Sequence, residues 1–303
     1  MKRVFIAAVL ILLTYAPMRA CDICGCAVGG NYMGILPQFY NNFVGLRYQY
    51  RSFRSEHPPL FGEPNGLSAN EYFQTTELWG RWNPTRRVQV FAFVPYQHFI
   101  RHETNANANI NNLGDVSLIA NWVIWNTGDS IRNDWKHALQ FGGGIKLPTG
   151  RYNLTQQGAP LHRNMQPGTG SLDVPLNAIY TVRYKRLGIN TEANIHLNTT
   201  APDGHRFGNR LGASLRGFYW QQVRRTTYLP SAGIVWERAA ADQLSGLPIE
   251  FTGGQSTWLS AGFDVFISRI ALGVLYQQPL YNNIGEGYVQ PRPRVSAQVA
   301  FLF

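Results

Sequence analysis

The chain has 303 residues and a formal net charge of +10, yet only 15% of its residues are charged, against 45% hydrophobic and 13% aromatic. A typical soluble domain carries roughly 25% charge and disorder requires low hydrophobicity with high charge, so disorder is excluded and a conventional cytoplasmic enzyme is disfavoured. Beyond residue 13 no apolar run approaches the roughly 18 to 20 residues of a membrane helix, and the basic residues form no long run, which argues against nucleic acid as a partner.

Residues 1–20 read as a secretory signal: Lys2 and Arg3, an apolar stretch from Val4 to Leu13, and the small Ala20 before Cys21. Residues 21–41 follow as a short periplasmic segment that holds all three cysteines, Cys21, Cys24 and Cys26. Three thiolates at this spacing could hold a soft metal ion, copper(I) being the natural candidate, with Met33 as a thioether nearby. An oxidising periplasm equally favours a Cys21–Cys24 disulfide, and a mature chain beginning at Cys21 suits a lipid anchor, although Met18 and Arg19 fit a lipoprotein box poorly. All three states stay open, and beyond a copper ion here the sequence implies no cofactor.

From residue 42 onward apolar and polar side chains alternate with period two, the signature of half-buried strands. In Val44-Gly45-Leu46-Arg47-Tyr48-Gln49-Tyr50-Arg51 the even positions are apolar and the odd ones polar. Twelve such segments follow in chain order: 42–53, 70–82, 87–99, 114–126, 136–147, 171–184, 187–198, 209–221, 226–237, 256–267, 269–278 and 292–303. Each reaches the roughly 9 to 11 residues of a tilted membrane strand. The connections alternate as well. They are short after the second, sixth, eighth and tenth segments, long after the odd-numbered ones, and of intermediate length at 127–135. Membrane barrels have short periplasmic turns and long external loops. The last segment, with Val295, Ala297, Val299, Phe301 and Phe303 in alternation, resembles the terminal strand that barrel-insertion machinery recognises. The expected architecture over residues 42–303 is therefore all-β: a transmembrane, antiparallel, up-and-down β-barrel of about 12 strands. Its expected place is the bacterial outer membrane, in contact with outer-membrane lipid.

Three stretches, Asn112-Leu113-Gly114-Asp115-Val116-Ser117-Leu118, Gly142-Gly143-Gly144-Ile145-Lys146-Leu147-Pro148-Thr149-Gly150 and Pro167-Gly168-Thr169-Gly170-Ser171-Leu172-Asp173, form an ordered set. Together they resemble the phenol-degradation meta-pathway transporter family of outer-membrane barrels, over roughly residues 40–303. That resemblance implies a barrel passing small, often hydrophobic or aromatic, solutes. The Cys-x-x-Cys-x-Cys start lies outside the shared region and is similar to a Bacteroidetes-type variant.

Parity places Arg47, Arg51, Glu77, Arg81, Asp115, Lys146, Asp173, Arg183, Glu192, Arg216, Asp264 and Arg294 opposite the apolar row, hence in the lumen. A charge facing lipid at mid-membrane costs about 2 to 4 kcal/mol. Strand direction brings Asp115, Lys146 and Asp173 together at the extracellular end beneath the long 148–170 loop. Such a cluster reads either as a charged constriction that selects solutes or as mutually satisfied salt bridges. Inward aromatics such as Phe91, Phe93 and Trp258 could form a greasy path or a plug. No nucleophile elbow, His-Glu-x-x-His or phosphate loop is present. His98, with lipid-facing parity near the outer rim, is the one residue that hints at a surface lipase, and an aromatic-belt role suits it better, so no enzyme is expected. The leading expectation is a channel or transporter for small solutes. The alternatives are a copper- or redox-linked barrel using the N-terminal thiols, and a structural barrel anchoring a periplasmic partner at its N-terminus.

Overall fold

Extended backbone turns successive side chains to opposite faces, so a strand with one apolar and one polar row can stand between lipid and a wet interior. The chain solves this problem twelve times. In the computed structural model, which describes residues 41–56, 68–103, 107–128, 134–156 and 158–303, the strands are β1 Phe43–Glu56, β2 Ser68–Thr85, β3 Val88–Glu103, and β4 in two pieces, Asn107–Leu113 and Ser117–Asn126. They continue as β5 Trp135–Lys146, β6 Val174–Tyr184, β7 Leu187–Leu197, β8 Arg210–Tyr219 extended by Gln221–Val223, and β9 Thr226–Ala239. β10 Gly254–Ile267, β11 Ile270–Ile284 and β12, in the pieces Val289–Pro291 and Arg294–Leu302, complete the set. Each strand pairs antiparallel with the next, and β12 pairs with both β11 and β1, closing a twelve-stranded barrel. Residues 1–40, which hold the expected signal 1–20 and Cys21, Cys24, Cys26 and Met33, lie outside the described residues.

Leu46, Leu78, Trp122, Phe141, Ile189, Leu215, Leu259, Val274 and Phe301 are all exposed on the outer face. A continuous apolar band of this kind would aggregate in water and is stable only against lipid. No helix among the described residues is long and apolar enough to cross a membrane.

The strands outrun the expected segments on the loop side. Much of the long connection expected after β3 is strand, because β3 and β4 continue as a paired hairpin with Tyr96 opposite Leu113 and His102 opposite Asn107. β11 likewise runs to Ile284 before the turn at Gly285–Gly287. β6 starts at Val174, three residues later than expected: Asp173 is tied to Lys146 of β5 only by an isolated bridge, and Ser171 is held by its side chain. At the opposite end the turns are tight, with Lys185, Arg224 and Ser268 in left-handed backbone near φ 50°, as two-residue hairpins require.

Inside, two apolar layers are stacked along the barrel. Near the tight turns Phe43, Trp79, Phe91, Phe93, Phe218, Leu229 and Phe266 pack together. Trp79 meets Phe43 edge-on at 4.6 Å and stacks on Phe93 at 6.3 Å. Near the loops Phe53, Phe73, Phe99, Ile110, Ile284 and Val289 surround Met165, a loop residue. Burying each large apolar side chain stabilises by about 1.5 to 3 kcal/mol.

Candidate solute chamber between two aromatic layers

Between these layers the inward row is charged. The arrangement starts from the break in β4, where Gly114, Asp115 and Val116 leave the strand. The freed backbone groups find new partners: Gly114 N–H donates to Pro95 O at 2.8 Å, and Val116 N–H donates to Thr149 Oγ1 at 2.9 Å, which itself donates to Gly114 O at 3.1 Å. Asp115 is thereby turned inward and becomes a hub. Its Oδ1 accepts from Gly150 N–H at 2.9 Å, and its Oδ2 accepts from Thr169 N–H, Thr169 Oγ1 and Lys146 Nζ at 2.9, 2.9 and 2.8 Å. Lys146 also pairs with Asp173 at 2.6 Å and donates to Thr169 Oγ1. Asp173 in turn accepts from Ser171 Oγ and Thr199 N–H, both at 2.9 Å.

The three motif stretches of the sequence therefore meet on one carboxylate. Their glycines have a steric cause: a Cβ on Gly168 would lie 2.3 Å from Gly150 O, so only two bare backbones can cross there. The knot pins the 148–170 loop into the barrel mouth, and the loop carries Arg163 inward. Arg163 donates to Tyr152 O at 3.0 Å, Thr169 O at 2.8 Å and Asp203 Oδ2 at 2.6 Å. Burial lowers the pKa of Arg163, and Asp203 opposes that shift. In the neighbouring 240–253 loop, burial raises the pKa of Asp242 above the usual 3.8, although Gly208 N–H donates to it at 2.8 Å.

Below the knot lies a cavity of about 270 Å³. Of the twelve expected lumen residues, Arg47, Arg51, Glu77, Asp115, Lys146, Asp173, Glu192, Arg216 and Arg294 line it. Arg47 pairs with Glu77 and lies over the Trp79 ring at 4.8 Å. Arg294 grips Glu237 through two bonds of 3.0 and 2.8 Å, reaching past two intervening strands, while its Nε donates to Gln277 at 2.6 Å and its guanidinium lies 4.0 Å from the Trp258 ring centre. The other three sit nearer the tight turns and do not line the cavity. Arg81 donates to Asn41 O, Arg183 lies over Trp220 at 4.8 Å, and Asp264 accepts from Gln298 at 3.2 Å. Phe93 lines the chamber, whereas Phe91 and Trp258 are buried beside it.

Glu237, Gln277, Arg210 and Arg163 also line the chamber and were not singled out from the sequence. Glu237 and Arg210 have inward parity within segments already recognised, so the alternation could have found them. Arg163 comes from a loop, where periodicity carries no signal. His98 stands on the outer face of β3, its Nε2 3.1 Å from Asn109 Oδ1 on the paired strand.

No protein-family model matches the chain, and no curated protein matches it. Among solved structures, an outer membrane channel from Pseudomonas putida F1 is similar with a TM-score of 0.61 at 15% identity, covering 91% of this chain and 99% of that one. The β domain of the Bordetella autotransporter Brka gives a TM-score of 0.49 at 11% identity, covering 87% and 99%. A FadL homologue of Pseudomonas aeruginosa gives 0.37 at 12%, covering 86% and 89%. The first similarity shows the fold, and together with the apolar outer band it makes this chain a β-barrel of the bacterial outer membrane.

Proposed function

We propose that the barrel is a non-enzymatic channel or transporter for small solutes with a hydrophobic or aromatic body, related to the phenol-degradation meta-pathway transporters. The observation that carries this reading is the layered interior: a charged chamber of about 270 Å³ held between two aromatic layers. An engineered cavity of about 150 Å³ is enough to bind benzene, so the chamber suits a molecule of one or two rings. The ion pairs set its polarity, and a charged lumen lining is how pores discriminate among solutes. The similarity to a protein described as an outer membrane channel supports the same reading.

Planar-bilayer conductance and uptake of single-ring solutes into liposomes test it. Purified barrel is expected to raise solute entry above that of empty liposomes, and Lys146→Met, which releases the loop knot, is expected to raise ion conductance further. A barrel that admits neither ions nor solutes, in both forms, overturns the proposal.

A further inference from the structure

The chamber's charges do not balance. Seven Arg and Lys side chains line it against five carboxylates, and the named pairings account for part of them. Glu77 is taken by Arg47, Glu237 by Arg294, and both Asp115 and Asp173 by Lys146. Arg163 has its own partner in Asp203. Arg210 feels Asp242 through space but makes no salt bridge and no side-chain hydrogen bond among the described residues. Its Nε is buried without an acceptor, and its guanidinium carbon lies 5.9 Å from the Phe207 ring centre. Arg210 on β8 is directly opposite His196 on β7. Both face inward and line the chamber, and among the described residues no side-chain hydrogen bond ties down the imidazole either.

A buried guanidinium Nε with no acceptor is costly to leave unmet. Arg210 presents a planar fork matched to a carboxylate, and His196 adds a ring nitrogen beside it. The chamber lining also offers apolar side chains, among them Phe73, Phe99, Phe207 and Val235. We propose that Arg210 and His196 form an anion subsite in the chamber, taking the carboxylate of a small organic anion whose apolar body rests against these rings. This inference rests on the solute-binding reading above and narrows its substrate class from small apolar solutes to amphipathic monoanions.

Binding measured in detergent, without any flux, tests it. Benzoate and its neutral isostere benzamide are titrated against the full barrel, and tryptophan quenching is followed, since the chamber adjoins Trp79 and Trp258. Benzoate is expected to bind about tenfold more tightly than benzamide, and Arg210→Gln is expected to abolish that preference while Arg210→Lys retains part of it. Heat-modifiable migration on gels verifies that each variant is folded. Equal affinity of the wild type for the two ligands, absence of benzoate binding, or an unchanged preference in folded Arg210→Gln overturns the subsite. Should the glutamine variant fail to fold, the wild-type ratio and Arg210→Lys still decide. Conductance without benzoate preference sinks the subsite alone, whereas benzoate binding without conductance or uptake sinks the channel reading alone.

Discussion

The two ends of the barrel interior are closed by different physics. Near the tight turns the lumen is filled by Phe43, Trp79, Phe91, Phe93 and Phe266, side chains that belong to the strands themselves. Their packing is non-directional and is carried by the wall itself. At the loop end the filling is imported. Met165 comes from the 148–170 loop, and that loop is held by directional bonds to Asp115 and by the reach of Arg163 to Asp203. The wall-borne layer is part of the barrel's stability, whereas the loop-borne layer is attached to it through a few named donors and acceptors.

Four substitutions break or sharpen this contrast. The largest effect is expected at Lys146→Met, which strands Asp115 and Asp173 without their shared cation. Breaking a buried pair costs about 3 to 5 kcal/mol, seen as a lower urea midpoint together with faster proteolysis of the 148–170 loop. Phe93→Ala removes a ring from the wall-borne layer at a cost of about 3 kcal/mol. It should lower the midpoint while leaving loop proteolysis unchanged; accelerated loop cleavage would show that the two ends are coupled. Arg163→Gln loses the Asp203 pair, and because Asp203 is half exposed the expected cost is only about 1 kcal/mol. Its signature is faster cleavage of the loop with little change in the global midpoint.

The smallest effect is a pH dependence in the 240–253 loop. Burial raises the pKa of Asp242 in the folded state, so the folded loop keeps a proton where the unfolded chain has lost it. That contribution is complete below about pH 4 and is lost as the pH climbs through the folded pKa. Asp242→Asn keeps an acceptor for Gly208 N–H and has no proton to lose. The variant should therefore gain stability relative to wild type, by some tenths of a kcal/mol, as the pH is raised from about 4 to 7. A difference that is flat over this interval would remove the role assigned to burial at Asp242.

How much of this was legible in the sequence follows from which interactions are periodic. The mean hydropathy of -0.20 averages an oily row and a wet row, so it conceals a membrane protein that residue parity reveals. Parity placed Arg47, Glu77, Glu192, Arg216 and Arg294 inside because every second residue of a lipid-bounded strand must face inward. It also foresaw the meeting of Asp115, Lys146 and Asp173, since strand direction fixes which ends are neighbours. It did not foresee that β3 and β4 continue as a hairpin, because the Asn-rich stretch 107–112 looks like loop in composition and is strand through pairing. Nor could it foresee Arg163 and Met165, whose positions depend on the crossing of Gly150 and Gly168, a tertiary contact without local periodicity.

The Asp115 hub also constrains the order in which the molecule is built. Its donors come from β5, from the start of the loop at Gly150 and from its end at Thr169, and Asp173, which shares Lys146, is bridged to β5 at Lys146. The loop therefore has nothing to grip until β4, β5 and β6 lie side by side, and closing contacts between residues 35 to 54 positions apart carries an entropic cost that only an existing wall can offset. The seat of the loop is thus made by the assembled wall, as a cork's grip is made by the neck of the bottle.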